Sequence, residues 1–240
     1  MSFVETGRSH PSARLVLHLA DRLDLPLRER NDLLLAAGYA PAYPQRELDV
    51  PELDPVREAI ERVLRAHEPY PAFVVDRHWD LVSANRALCS LVEGAAAHLL
   101  EPPVNVLRLS LHPEGLAPRI VNLEQWRGHL LERLRRDALA TGDPALSALH
   151  EELAAYPSGN PGPPLAPAFA AAAVPLRIRR RDTELRFIST STSFGMALDV
   201  TVAELSIESF FPADSQTASC MFYDPPNAAR RASAVCGLAG

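Results

Sequence analysis

"AFVVDRHWDLVSANRALCSLVEG", Ala72 to Gly94, is the stretch whose reading decides the fold. Phe73 to Val75 is a β-prone apolar run, and Leu81 to Ala84 is a second one. Asp76 to Trp79 lies between them and is short enough only for a turn. Asn85 then stands where a helix begins. Its short side chain can accept a backbone N–H as an N-cap, and the helix is predicted to run through Leu91. The order is strand, turn, strand, helix.

Downstream the spacing changes to that of helices. "VNVLRLSLHPEGLAPRIVNLEQWRGHLLERLRRDALATG" is mainly helical, with Trp126, Leu130 and Leu134 on one face. Gly142, Asp143 and Pro144 break it. Leu146, Leu149 and Leu153 mark a further helix that ends at Tyr156 and Pro157. His129 to Glu132 reads as a solvated, charged face. Ser158 to Pro175 is a low-complexity loop. Beyond it "LRIRR", "ELRFISTST" and "DVTVAELSIESFFP" alternate with period two, spaced as a three-stranded antiparallel meander. In the last run Ala203, Leu205 and Ile207 share one face, and Glu204, Ser206 and Glu208 the other. Cross-strand ion pairs of those glutamates with Arg177 and Arg179 are expected.

Two strands, then helices, then a meander is a PAS-like order. It predicts an α+β fold with a five-stranded antiparallel sheet, helices packed on one face and a pocket between them. Phe73, Trp79, Leu81, Trp126, Phe187 and Phe194 are candidates to line that pocket. The plainer account makes them ordinary core residues.

Upstream, "PVREAIERVLRAHEPYP" predicts a helix with Val56, Ile60, Val63, Leu64 and His67 on one face. Pro44 to Pro55 is polar, proline-rich and reads as a connector. Leu15, Leu19 and Leu23 predict a helix entered through Pro11 and Ser12. "LRERNDLLLAAGYAP" predicts another, capped by Gly38 and stopped by Pro41. From Ser215 no period is sustained, and weak order is expected. The expected divisions are 1–43, a linker at 44–55, 56–214 and a tail at 215–240.

The chain has 240 residues, 47% of them hydrophobic, and a formal charge of -6. That is enough to bury a sizeable core. The acidic balance argues against a surface that binds nucleic acid throughout, and leaves room for a local basic patch. Cys89, Cys220 and Cys236 have no CxxC spacing. They fit a reducing cytoplasm, with no disulfide framework and no thiolate metal site. There is no signal-peptide pattern and no long apolar run, so a cytoplasmic chain without a membrane partner is expected. No GxSxG, HExxH, P-loop or GxGxxG motif occurs, and no enzyme is expected. His78 beside Asp76 and Asp80 resembles a metal cluster, but polar residues belong in such a turn. No metal and no cofactor is expected.

"SFVETGRSHPS", "YPAFVVDRHWDLVSANRA", "HPEGLAPRIVNLEQWR" and "VAELSIESFFPAD" resemble the MmyB-like transcriptional regulators. These are bacterial proteins with an N-terminal XRE-type helix-turn-helix and a C-terminal PAS-like ligand-binding domain. The likeness runs from Ser2 to about Asp214. It implies that residues 1–43 are the rear half of a helix-turn-helix domain, with Ser2, Glu5, Arg8 and Ser9 towards DNA. The family carries about one and a half helices ahead of this point, so an N-terminal truncation is expected. A recognition helix reads bases with its N-terminal residues and is braced by the helix before it. Sequence-specific DNA binding is therefore expected to be weak unless the upstream helices are restored.

The resemblance also implies a small apolar ligand, a fatty acid being one candidate. Arg108, His112 and Arg119 are candidates to receive a carboxylate, Asn122 to add a hydrogen bond, and Thr190 in "STSTS" to supply a hydroxyl. Solvated arginines, a capping asparagine and an exposed strand are the plainer accounts. A homodimer would match a palindromic operator. A ligand-binding or protein-interaction module without DNA binding stays open as the alternative.

Overall fold

A computed structural model describes residues 9–157 and 174–223. Ser2, Glu5, Arg8, most of the low-complexity loop (158–173) and the end of the tail (224–240) lie outside the described residues. The chain clusters into two compact units: Met1–Glu58 with Ser193–Leu205, and Ala59–Thr192 with Ser206–Gly240.

In the first unit, α1 (Ala13–Arg22) starts where Ser12 accepts the Leu15 N–H, and α2 (Leu27–Ala36) follows Pro26. Gly38, at φ +80°, ends α2 in the left-handed conformation that glycine adopts without strain. Buried Asn31 accepts the N–H groups of Ala42 and Tyr43 and donates to the Tyr43 carbonyl, which folds the chain back on α2. The segment from Ser193 to Leu205 is held to these elements by polar contacts. Arg28 is bidentate to Glu204, Arg46 meets Asp199, and the Val200 N–H donates to the Pro44 carbonyl.

This segment corrects the expected last strand. The Asp199 side chain accepts the Thr201 N–H and turns Val200–Ala203 into a short helix, α8. A capping aspartate outweighs the β-prone Val-Thr-Val run, and the strand begins only at Ser206. Glu204 is thus off the strand. Arg177 finds its partner in Glu184 of the neighbouring strand, at 2.8 Å.

The second unit holds a five-stranded sheet of β1 (Ala72–Val75), β2 (Leu81–Ala84), β3 (Leu176–Arg180), β4 (Thr183–Ser193) and β5 (Ser206–Pro212). The order is β2-β1-β5-β4-β3. Pairing is antiparallel at β1–β2, β1–β5 and β3–β4. β1 is buried along its whole length, as its uniformly apolar sequence requires. α3 (Asp54–Ala66) buries Ile60 and Leu64, whereas Val63 is exposed, against the expected face.

Among the described residues, four α-helices follow the first hairpin: α4 (Arg86–Val92), α5 (Val106–Leu111), α6 (Leu123–Thr141) and α7 (Pro144–Ala155). Asn85, Asn105 and Asp143 cap α4, α5 and α7 with their side chains. Trp126, Leu130 and Leu134 of α6 and Leu146, Leu149 and Leu153 of α7 are buried, as their spacing predicts.

Residues 215–223, expected to be weakly ordered, begin the last departure. Ser215–Tyr223 forms α9, in which Thr217 and Met221 are fully buried. Asp214 accepts the Thr217 N–H, and the Thr217 hydroxyl accepts the Arg186 N–H from β4. Cys89 is disulfide-bonded, against the expectation of none, and Cys220 carries a free thiol.

One glycine is fixed by close approach. A Cβ on Gly115 would lie 2.2 Å from the Leu109 carbonyl oxygen, where the Leu116 N–H also donates at 2.9 Å. Neither backbone can yield without breaking that contact. Gly115→Ala is therefore expected to destabilise by about 2–3 kcal/mol, the upper range for forced backbone shifts. Urea unfolding followed by tryptophan fluorescence checks it; an unchanged midpoint would refute the close packing.

Candidate ligand cavity

The hairpin that opens the second unit is braced by one aspartate. Asp76 Oδ1 accepts the N–H groups of His78 and Asp80, and the Asp76 carbonyl accepts that of Trp79. His78, Asp76 and Asp80 are thus a turn. The His78 ring nitrogen Nε2 sits 3.0 Å from Asp143, the cap of α7.

Trp79 is left at φ +68°, an outlier for a bulky side chain. Asn105 holds it there. Its amide donates to the His78 carbonyl and to Asp80 at 2.9 Å each, and the Trp79 carbonyl accepts the Val106 N–H. The indole is thereby aimed inward and is 6% exposed.

The sheet and α4–α6 leave a cavity of about 70 Å3. Phe73, Trp79 and Leu81 form one side, Leu88, Leu91 and Val92 of α4 another. Val106, Leu107, Leu109, Ser110 and Leu116 come from α5 and the loop after it. Trp126, His129, Leu130 and Arg133 come from α6, and Leu176, Ser189, Glu208 and Phe210 from the sheet.

One ion pair lies among its polar lining groups. Arg133 contacts Glu208 with both terminal nitrogens, at 2.7 and 3.2 Å, and the Ser191 hydroxyl at 3.0 Å. The Glu208 side chain is 4% exposed and that of Arg133 25%. The guanidinium carbon lies 4.4 Å from the centre of the Trp79 ring, a cation–π contact. Burial, reinforced by Arg133 and Arg136, holds the His129 imidazole below its usual pKa. Burial raises the Asp137 carboxyl, against the pull of Arg133. Ser110 accepts the Trp126 indole N–H at 3.1 Å.

Of the residues singled out from sequence, Phe73, Trp79, Leu81 and Trp126 line this cavity. Phe187 is fully buried in the core and meets the lining Phe210 edge-on, at 6.2 Å between centroids. Thr190 is exposed on β4, and Phe194 belongs to the first unit. Arg108 is bidentate to Glu152. Arg119 donates to the carbonyls of Leu91, Glu93 and Arg179. Asn122, with no exposed surface, accepts the Arg177 N–H and donates to the Pro175 carbonyl, fixing the entry to β3. His112 ends α5 against Tyr156. Ser9 is exposed in a bend.

Sequence reasoning missed His129, Arg133 and Glu208. The signal was present for two of them: the 3–4 spacing that groups Trp126, Leu130 and Leu134 also carries His129 and Arg133. Their charge made them look solvated. Glu208 is buried because β5 is a central strand, a fact of sheet order that alternation cannot show.

An α+β unit in which helices close over one antiparallel sheet, leaving an apolar cavity with a single ion pair, is of the PAS-like, ligand-binding class. The chain belongs to the MmyB-like transcription regulators: the family model of their ligand-binding domain, "MmyB-like transcription regulator ligand binding domain", matches residues 56–221, more than half of the chain. No curated protein matches it. Among the described residues no helix is long and apolar enough to cross a membrane.

Proposed function

We propose that this chain is the sensor of a DNA-binding regulator and that the cavity of the second unit takes a small apolar molecule, with an acyl chain of the fatty-acid type as the leading candidate. The observation that carries this is the lining: mostly apolar side chains, with Ser110, His129, Arg133, Ser189 and Glu208 as its polar members. Such a site recognises by burial, at about 0.8 kcal/mol per methylene, and by one polar contact that sets orientation. DNA contact is assigned to the segment 1–43, helped by any helices that precede it. Binding and release, not turnover, is the proposed activity.

The ligand acts by linkage. It changes DNA affinity only to the extent that it binds one arrangement of the protein better than another. A shift in operator affinity on adding ligand, read by gel mobility, tests that part.

Cavity size sharpens the ligand prediction. One ordered water needs roughly 10–15 Å3, so about 70 Å3 has room for a short alkyl segment. Across a series of straight-chain acids measured by calorimetry, affinity is expected to rise about fourfold per methylene up to that length. It then flattens unless the walls part. Leu130→Trp fills the cavity and is expected to abolish the gain. Equal affinity for short and long acids, or binding unaffected by Leu130→Trp, would refute the assignment.

A further inference from the structure

We propose that His98, His112 and Glu114 form a binding site for a zinc-type divalent transition-metal cation. Each offers one ligand atom, and the three atoms lie within 4.8 Å of one another. Two imidazole nitrogens with one carboxylate oxygen is a donor set that selects Zn2+ and its neighbours over Mg2+ or Ca2+, which take oxygen ligands. Three protein ligands leave a fourth position for water.

The three residues are held together by backbone. The Ala96 N–H donates to the Glu114 carbonyl at 2.9 Å and ties the 3-10 turn Ala97–Leu100, which carries His98, to the loop after α5. That loop is itself clamped by Gly115, whose N–H donates to the His112 carbonyl, and by the Leu116 bond to Leu109. The rings of His98 and His112 meet edge-on at 5.6 Å between centroids. The His112 ring also meets Tyr156 edge-on at 5.1 Å between centroids, and the Tyr156 hydroxyl donates to Glu152. His112 is therefore oriented before any metal arrives.

A backbone contact also fixes the ring: the Glu114 N–H donates to His112 Nδ1 at 3.1 Å. A metal ligand must be unprotonated. His98 and Glu114 are exposed and His112 is half-buried, so the cation has an open path.

The test uses the full untagged chain, stripped with a chelator, and Zn2+ or Co2+ alone as the probe. One equivalent of Zn2+ is expected to be retained through desalting and to raise Tm, as binding to the native state must. Co2+ is expected to give the visible absorption of a low-coordinate nitrogen–oxygen site. His98→Ala, at an exposed position, should keep the metal-free circular dichroism and Tm. It should weaken Zn2+ binding by at least about 100-fold, beyond what loss of a supporting partner alone costs. Glu114→Gln should lower affinity less and alter the Co2+ spectrum. No retained Zn2+, or retention unchanged in both His98→Ala and His112→Ala, would overturn the site. Displacement of Zn2+ by excess Mg2+ would overturn the donor assignment.

Discussion

Asn85→Asp is expected to destabilise the protein by about 3–5 kcal/mol, the range for an uncompensated buried charge, and more than Asn85→Ala. The reason is that every hydrogen-bonding site of the native amide is in use. Its oxygen accepts the N–H groups of Ala72 and Leu88, at 3.0 and 3.4 Å, and its nitrogen donates to the carbonyls of Leu64 and Tyr70, at 3.2 and 2.8 Å. The residue is 4% exposed. One side chain thus joins the end of α3, the start of β1 and the cap of α4.

Aspartate keeps the acceptor but turns both donors into an oxygen facing two carbonyl oxygens. Alanine loses the cap, worth about 1 kcal/mol, and strands buried polar groups at about 1–3 kcal/mol. The two substitutions also differ in pH response. Held among carbonyls, the introduced carboxyl has a folded pKa above its unfolded value. Its penalty is therefore present at neutral pH and shrinks as pH falls through that raised pKa. Asn85→Ala should show no such recovery. Urea midpoints for both variants from pH 7 down to 4 decide it. A variant with aspartate as stable as wild type would remove Asn85 from the centre of the fold.

The second large effect concerns Arg133 and Glu208. Arg133→Ala is expected to cost about 3–5 kcal/mol, because it leaves a carboxylate that is almost wholly buried without its cation. Ser206, whose hydroxyl donates to Glu208 at 3.3 Å, is weak compensation. Glu208→Ala should cost less, since the Arg133 guanidinium keeps some solvent access and the face of Trp79. Replacing both, by Met and Leu, should cost far less than the two single changes added together, as for other buried pairs exchanged for apolar residues. The only two tryptophans, Trp79 and Trp126, both line the cavity, so intrinsic fluorescence reports on this unit during unfolding. Additive single effects would mean that the pair is not coupled.

The hairpin and its cap were legible in Ala72 to Gly94 because a four-residue turn and an asparagine before a helical run act locally. The helices α6 and α7 were legible in their leucine spacing. The stretch from Asp199 was not: Val-Thr-Val-Ala continues a β-prone pattern, and only the Asp199 side chain turns it into a helix. The partners of Arg108 and Arg119 were hidden for a different reason. Glu152 is 44 residues from Arg108, and the carbonyls that Arg119 reaches are 26 to 60 residues away. Spacing carries no trace of contacts at that range, so both arginines looked available.

The cavity was half legible by the same logic. Phe73, Trp79, Leu81 and Trp126 are large apolar residues on recognisable elements. Arg133 and Glu208 sit inside because each neutralises the other, a property of the pair that neither residue shows alone.

The backbone at Trp79 is left-handed, at φ +68°. A left-handed torsion on a bulky residue stores roughly 1–3 kcal/mol, and here the Asp76 turn and the Asn105 amide keep it loaded. Glycine in its place would relax the chain but remove the wall, and any other large ring would keep the wall at the same torsional cost. The position is therefore a compromise between chain comfort and ring placement, settled in favour of the ring. The bracing residues are as much a part of the cavity as those whose side chains face it.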